Sequence, residues 1–122
     1  MMLALRNPTD AYDRVSLGAR IVGSDPRQLT RLCMDHAIDC LGRALASDAI
    51  GATDKRSSSL TGCMNALAAL SMGVNTRQQM GSSLIQFYEG LRARIMTCFK
   101  DFNRATIDEV QQDLRDVRDV MK

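Results

Sequence analysis

Apolar residues recur at three- and four-residue steps in four successive stretches of the chain, a spacing that places them on one face of a helix. The first stretch begins cleanly, because Asp25 is a good N-cap, Pro26 suits the first helical position and Gln28 completes a capping box. It carries two adjacent apolar stripes, so this helix has to contact two neighbouring helices, or one neighbour and one partner. The second stripe comprises Met34, Ile38, Leu41 and Leu45.

The other three stretches predict helices over roughly residues 58–74, 82–101 and 106–121. A loop over residues 47–58 precedes the second helix, which has no charged residue and is therefore either central in the protein or covered by something else. Asn103 is predicted to break the third helix. The fourth opens with a capping box over Thr106–Glu109 and continues with the apolar seam of a helix packed lengthwise against others.

These elements predict an all-α protein, because the chain has no period-2 apolar runs and no hairpin turn dipeptide. Four amphipathic helices of similar length joined by short or medium loops predict an antiparallel up-down four-helix bundle over residues 25–122. Residues 1–24 predict a short helical arm, loosened by Gly18 and Gly23, that docks on the bundle or leaves it. Tyr12 and Val15 lie on one side of this arm.

Composition narrows the class of protein further. A length of 122 residues is that of one domain, and 16 basic against 14 acidic side chains are too balanced to predict nucleic-acid binding. No segment is apolar enough to insert in a membrane. The apolar run at the start of the chain, Met1–Leu5, is too short for a secretory signal, so we expect a cytoplasmic protein. The four cysteines form no Cys-x-x-Cys pair and are expected to be small core residues.

His36 is the only histidine, and the sequence has no catalytic or phosphate-binding motif, so we expect no enzymatic site and no cofactor. A zinc shell is one alternative, since Cys33, His36 and Cys40 lie close together on the first helix and Cys63 or Cys98 could add a ligand. The spacing matches no standard zinc motif, so no metal is predicted.

A histidine phosphotransfer bundle that uses His36 is a second alternative, because such proteins carry one reactive histidine on a helix face. Asp39, three residues further on, argues against it, since a carboxylate there would repel an incoming phosphoryl group.

The chain has more apolar surface than one core contact needs, which predicts an apolar groove for amphipathic helices of a partner protein. Eight methionines suit such a groove, because methionine repacks easily against different side chains. The expected groove residues lie on the first and second helices; they are Met34, Ile38, Leu41, Leu45, Met64, Leu67 and Val74.

Several segments in order resemble the FliS family of flagellin-specific export chaperones. They are Ala11–Val15, Asp25–Leu29, Met34–Ile38, Asn65–Asn75, Leu84 to Tyr88 with Leu91 and Ile95, and Ile107–Met121. The chain departs from the family pattern at Met34 and His36, where Tyr and Gly are usual, and it has a longer gap between Tyr12 and Pro26.

This resemblance implies a four-helix bundle that binds the disordered C-terminal segment of flagellin. Masking that segment would prevent premature polymerisation, and the complex would deliver flagellin to the flagellar type III export gate. By the same resemblance, the N-terminal arm covers part of the groove when flagellin is absent, with Tyr12 and Val15 as its anchors.

Overall fold

The computed structural model describes residues 25–121, which form four α-helices and no strand. The helices are α1 (Pro26–Ala49), α2 (Thr53–Met72), α3 (Gly81–Lys100) and α4 (Arg104–Val120). The prediction of an all-α four-helix protein is therefore confirmed. The predicted arm over residues 1–24, with Tyr12 and Val15, lies outside the described residues.

The helices pack in chain order around the bundle. α1 contacts α2 and α4, and α3 contacts the same two helices. Each connection is short enough to reverse the direction of the chain, so neighbours are antiparallel. The two apolar stripes of α1 are explained by this arrangement, since both neighbours are helices of the same chain. None of the helices within residues 25–121 has the length and apolar character needed to cross a membrane.

Helix α1 begins at Pro26 with Asp25 as its N-cap, as the sequence predicts. The Asp25 carboxylate accepts a hydrogen bond from the Gln28 backbone N–H at 2.7 Å, and Pro26 occupies the first helical turn. The cap satisfies one of the N–H groups that a helix leaves without an internal partner, which fixes the point where the helix begins.

The prediction that α2 begins at Ser58 was wrong, because the helix starts at Thr53. The charged residues placed in the loop belong to its first turns, where Asp54 lies near the positive end of the helix. Arg56 pairs with Asp48 of α1 at 2.8 Å and holds these turns against the preceding helix. The true loop is only residues 50–52, and Gly51 permits it with a positive φ of 71°.

The predicted capping box at Thr106 was also wrong. α4 begins at Arg104, and Asn103 is its N-cap, with a side-chain oxygen that accepts from the Thr106 backbone N–H at 3.2 Å. The same asparagine that ends the third stretch therefore starts the fourth helix. Asparagine is as good an N-cap as serine or aspartate, and it competes successfully with a threonine three residues later.

Ion pairs fix α4 between its two neighbours. Arg94 of α3 contacts Glu109 at 2.7 Å and Asp113 at 3.2 Å, and Arg118 contacts Asp35 of α1 at 3.0 Å. Such exposed or half-exposed pairs contribute only about 0–1 kcal/mol each, so their main effect is on the register of α4 rather than on overall stability.

Candidate partner-binding surface

Large apolar side chains remain exposed at the ends of the helices. Met72 at the end of α2 is 86% exposed, Met80 before α3 is 62% exposed and Val120 at the end of α4 is 84% exposed. In an antiparallel bundle, the ends of α2 and α4 and the start of α3 lie at one end. We call Met72, Met80 and Val120 the apolar end. Ile50 and Met96 are also exposed, but each lies elsewhere on the bundle. Several exposed apolar groups at one end are typical of interaction sites.

Beyond its first turn, from Ser57 to Met72, the outer face of α2 carries no charge. Thr61, Asn65 and Ala69 are exposed there, and among the four helices of residues 25–121 this helix contacts only α1 and α3. The sequence predicted that this helix is either central in the protein or covered by something else. Because one face is exposed, the prediction that it is central is wrong. Its neutral face runs towards Met72 and so continues the apolar end along one side of the bundle.

An open groove of about 440 Å³ lies between α1 and α4. Its walls combine small, apolar and charged side chains; they are Ile38, Asp39, Gly42, Arg43, Ala46, Gln111 and Arg115. Gln111 lines the groove, is 8% exposed and donates a hydrogen bond from Nε2 to the backbone oxygen of Ile38 at 3.1 Å. This bond joins α4 to α1 along the floor.

The residues predicted to line a groove lie at different depths. Met34, Leu41 and Leu67 are completely buried in the core, and Met64 is nearly so. That these four contact a client stays a prediction, and it would require a client to reach side chains that the bundle encloses.

The other three predicted groove residues reach the surface to some degree. Ile38 is mostly buried but borders the groove between α1 and α4. Leu45 and Val74 are half-buried and pack on the edge of the core. Leu45 and Val74 are therefore accessible to a partner without any change in the bundle, whereas Ile38 is only 5% exposed at the edge of the groove.

Sequence reasoning missed the apolar end and most of the groove between α1 and α4. Met72, Met80 and Val120 lie at or beyond helix ends, where periodicity carries no information about burial. Gln111 offered a signal, because it is a polar residue beside Val110 in the apolar seam of the fourth helix. A buried amide in such a seam needs a hydrogen-bond partner on a neighbouring helix.

His36 and the cysteines form no ligand group. Within residues 25–121, no three His, Cys, Asp or Glu side chains come together as they would around a metal ion. His36 is half-buried, and its Nε2 lies 3.6 Å from Cys40 Sγ. This contact ties the imidazole to its own helix, and it gives no support to the zinc or phosphotransfer alternatives.

Burial also makes the thiols poor ligands and nucleophiles. Desolvation raises the pKa of the Cys63 thiol strongly, with a further contribution from nearby Cys40, and burial raises the pKa of Cys33. Since the thiolate is the reactive form, these cysteines act as core residues in the folded protein.

The family model described as "Flagellar protein FliS" matches residues 8–122. No curated protein matches the chain significantly.

Proposed function

Because the chain belongs to the FliS family of flagellar proteins, we propose that it is a cytoplasmic export chaperone for flagellin. It binds the disordered C-terminal segment of flagellin, prevents premature polymerisation and delivers the client to the flagellar type III export apparatus. The family match over residues 8–122 carries this proposal. The function is one of binding and release, and it needs neither a catalytic group nor a cofactor.

The apolar end supplies surface of the kind that such a client needs. A segment that polymerises through amphipathic helices exposes apolar faces before assembly, and a chaperone keeps it monomeric by covering those faces. Met72 and Met80 are suited to this task, because flexible thioether side chains adapt to different apolar partners.

Energetics indicate that the client contacts more than the apolar end. Burying one large apolar side chain contributes about 1.5–3 kcal/mol. Ordering a disordered segment costs roughly 2–5 kcal/mol, and association has a further entropic cost. Three side chains would therefore give weak binding at best, so we infer that the client also follows the neutral face of α2, through Thr61, Asn65 and Ala69.

From the residues expected on sequence grounds, Leu45 and Val74 remain accessible candidates for client contact, and Ile38 borders the groove with little exposed surface. Tyr12 and Val15 remain candidates through the family resemblance alone. The residues enclosed in the core support the client surface from beneath, by holding the helices at their spacing.

Titration calorimetry with the C-terminal segment of flagellin tests the proposal. We expect binding with a negative heat-capacity change, the signature of apolar burial. Met72→Glu should weaken the affinity about tenfold, because it places a charge in an interface that excludes water. Met72 is 86% exposed, so the variant should fold normally.

Ala105→Glu is the matched control, since Ala105 is exposed in the first turn of α4, at the opposite end of the bundle. It adds the same charge and should bind the client normally. If flagellin neither binds the purified protein nor accompanies it when the protein is isolated from its own cells, the proposed function is wrong. Equal binding by Met72→Glu and Ala105→Glu would remove the apolar end from the site.

A further inference from the structure

We infer that the groove between α1 and α4 binds the free C-terminal carboxylate of the client chain, with Arg115 as the charged contact. This inference rests on the proposed function and names the part of the client that enters the groove. Size, hydrogen bonding and charge support it separately.

The size of the groove fits a chain end rather than a long helix. Its volume is about 440 Å³, near the lower limit for pockets that hold small ligands, roughly 300–1,000 Å³. A helix with its side chains is about 10–12 Å wide and rises about 5.4 Å per turn, so the groove accepts little more than one turn. A few terminal residues would fill it.

The floor of the groove offers an acceptor for peptide backbone. Gln111 uses its Nε2 to donate to the Ile38 backbone oxygen, and no side chain or backbone group within residues 25–121 donates to its side-chain oxygen, which stays in contact with solvent. An amide oxygen on the surface of the groove can accept a hydrogen bond from an occupant that brings an N–H group. Each residue of an extended chain end, proline excepted, has one.

The charge of the groove favours the carboxylate at the C-terminal end of the client chain. Arg115 lines the groove and makes no ion pair or side-chain hydrogen bond to another residue in the described range. Arg43 and Asp39 line it too, and Arg43 Nη2 also contacts Cys40 Sγ at 3.5 Å. Among the lining residues that the structure describes, Arg115 therefore supplies the charge for one carboxylate, which an arginine can hold through two parallel hydrogen bonds.

Gly42 keeps the groove open. A Cβ at this position would lie 3.5 Å from Gln111 Nε2, which is an ordinary contact, so alanine fits without strain. A larger side chain at this position would extend into the space. Ala46, one turn further on, is also small and exposed.

The test compares two forms of the C-terminal segment of flagellin, one with a free carboxylate and one with a C-terminal amide. The free acid should bind the wild-type protein about tenfold more tightly, since a charge-assisted hydrogen bond is lost in the amide. Added salt should reduce this ratio, because the difference is electrostatic. Arg115→Gln should bring the affinity for the acid down to that for the amide.

Arg77→Gln is the matched control, because Arg77 is exposed in the connection between α2 and α3, away from the groove. It removes the same charge and should preserve the ratio between acid and amide. Gly42→Leu should weaken binding of both forms by filling the groove, whereas Gly42→Ala should bind nearly as the wild type does. Circular dichroism of each variant verifies that the helices are intact.

The outcomes separate this inference from the proposed function. If both peptides bind the wild type with equal affinity, the carboxylate has no site here and the inference is wrong, while the chaperone function stands. The same conclusion follows if Arg115→Gln retains the full preference for the acid. If neither peptide nor intact flagellin binds, the proposed function itself fails.

Discussion

Gly62 on α2 lies so close to Cys40 on α1 that a Cβ added at Gly62 would be 2.8 Å from the Cys40 Sγ. A carbon and a sulfur atom that are not bonded cannot lie this close together, so an added Cβ would force the Cys40 side chain or one of the helices to move. The two helices therefore approach at this level only because one of them has no side chain. Glycine is tolerated inside α2, despite its low helix propensity, for this reason of packing.

We expect Gly62→Ala to lower the free energy of unfolding by about 1–3 kcal/mol, the usual cost of adding a methyl group to a filled interior. This cost should exceed the gain of about 1 kcal/mol that alanine brings to a helix interior. Urea denaturation monitored by circular dichroism measures the difference.

Cys40→Ala tests the cause of that effect. Removing the sulfur should relieve the clash, so the double variant should be more stable than the sum of the two single effects implies. If Gly62→Ala is instead more stable than the wild type, the helices are free to move apart and close packing at Cys40 is unimportant.

Gly81 occupies a second crowded position, at the first residue of α3. A Cβ there would lie 2.6 Å from the backbone oxygen of Asn75 and 2.9 Å from the Thr76 Cα. Backbone atoms cannot rotate away as a side chain can, so Gly81→Ala should cost about 1–3 kcal/mol and displace the connection between α2 and α3. Thermal unfolding should show the loss.

Gly90 provides the control in the same helix. It is exposed, and no heavy atom would contact a Cβ there within 4 Å. Gly90→Ala should therefore raise the free energy of unfolding by about 1 kcal/mol through helix propensity alone. Similar effects from the two substitutions would contradict the packing described at Gly81.

Asp48 should make stability depend on acid pH. A hydrogen bond from Arg104, with a further one from Arg56, holds the pKa of this carboxyl below its ordinary value of 3.8. The unfolded chain then binds the proton more tightly than the folded protein does. Its contribution to stability is present above pH 3.8 and is lost as the pH falls through the lower folded pKa.

Urea midpoints measured from pH 7 down to low pH test this expectation. Asp48→Asn should lower stability at neutral pH and flatten the decline on acidification, because the carboxylate pairs with Arg56 and Arg104 are gone. Asp101→Asn is the control, since Asp101 is exposed at the end of α3 and makes no ion pair within residues 25–121. An identical acid profile for Asp48→Asn and wild type would contradict the role of Asp48.

Cys63 should resist alkylation in the folded protein. It is completely buried, so iodoacetamide cannot reach it. Burial also raises the pKa of its thiol, so the reactive thiolate is scarce near pH 8. Mass spectrometry after brief labelling should find Cys63 unmodified in buffer and modified in urea. Equal labelling under both conditions would show that α2 opens readily.

Much of the fold could be read from local signals. The N-cap at Asp25 predicted the start of α1, and the apolar spacing predicted α3 over residues 82–101, within one residue of Gly81–Lys100. Those features depend on neighbours within one turn of helix. The start of α2 was mispredicted because Asp54 and Arg56 have loop-like polarity, while their pairing and position favour helix.

Much less of the candidate site could be predicted from the sequence. Periodicity identified both stripes of α1 as apolar, but two helices of the same chain could cover them as readily as a partner could. Met34 and Leu41 are enclosed because α1 lies between α2 and α4.

The sequence by itself determined the helical class, the four helices of residues 25–121 and the family, because apolar period, caps and ordered motifs are properties of the chain. Only the tertiary structure decided which apolar side chains remain exposed and where α1 and α4 leave a groove. The physical reason is that burial is a property of pairs of surfaces. Gly42 and Gln111 are 69 positions apart in sequence, and they line one groove only because α4 packs against α1.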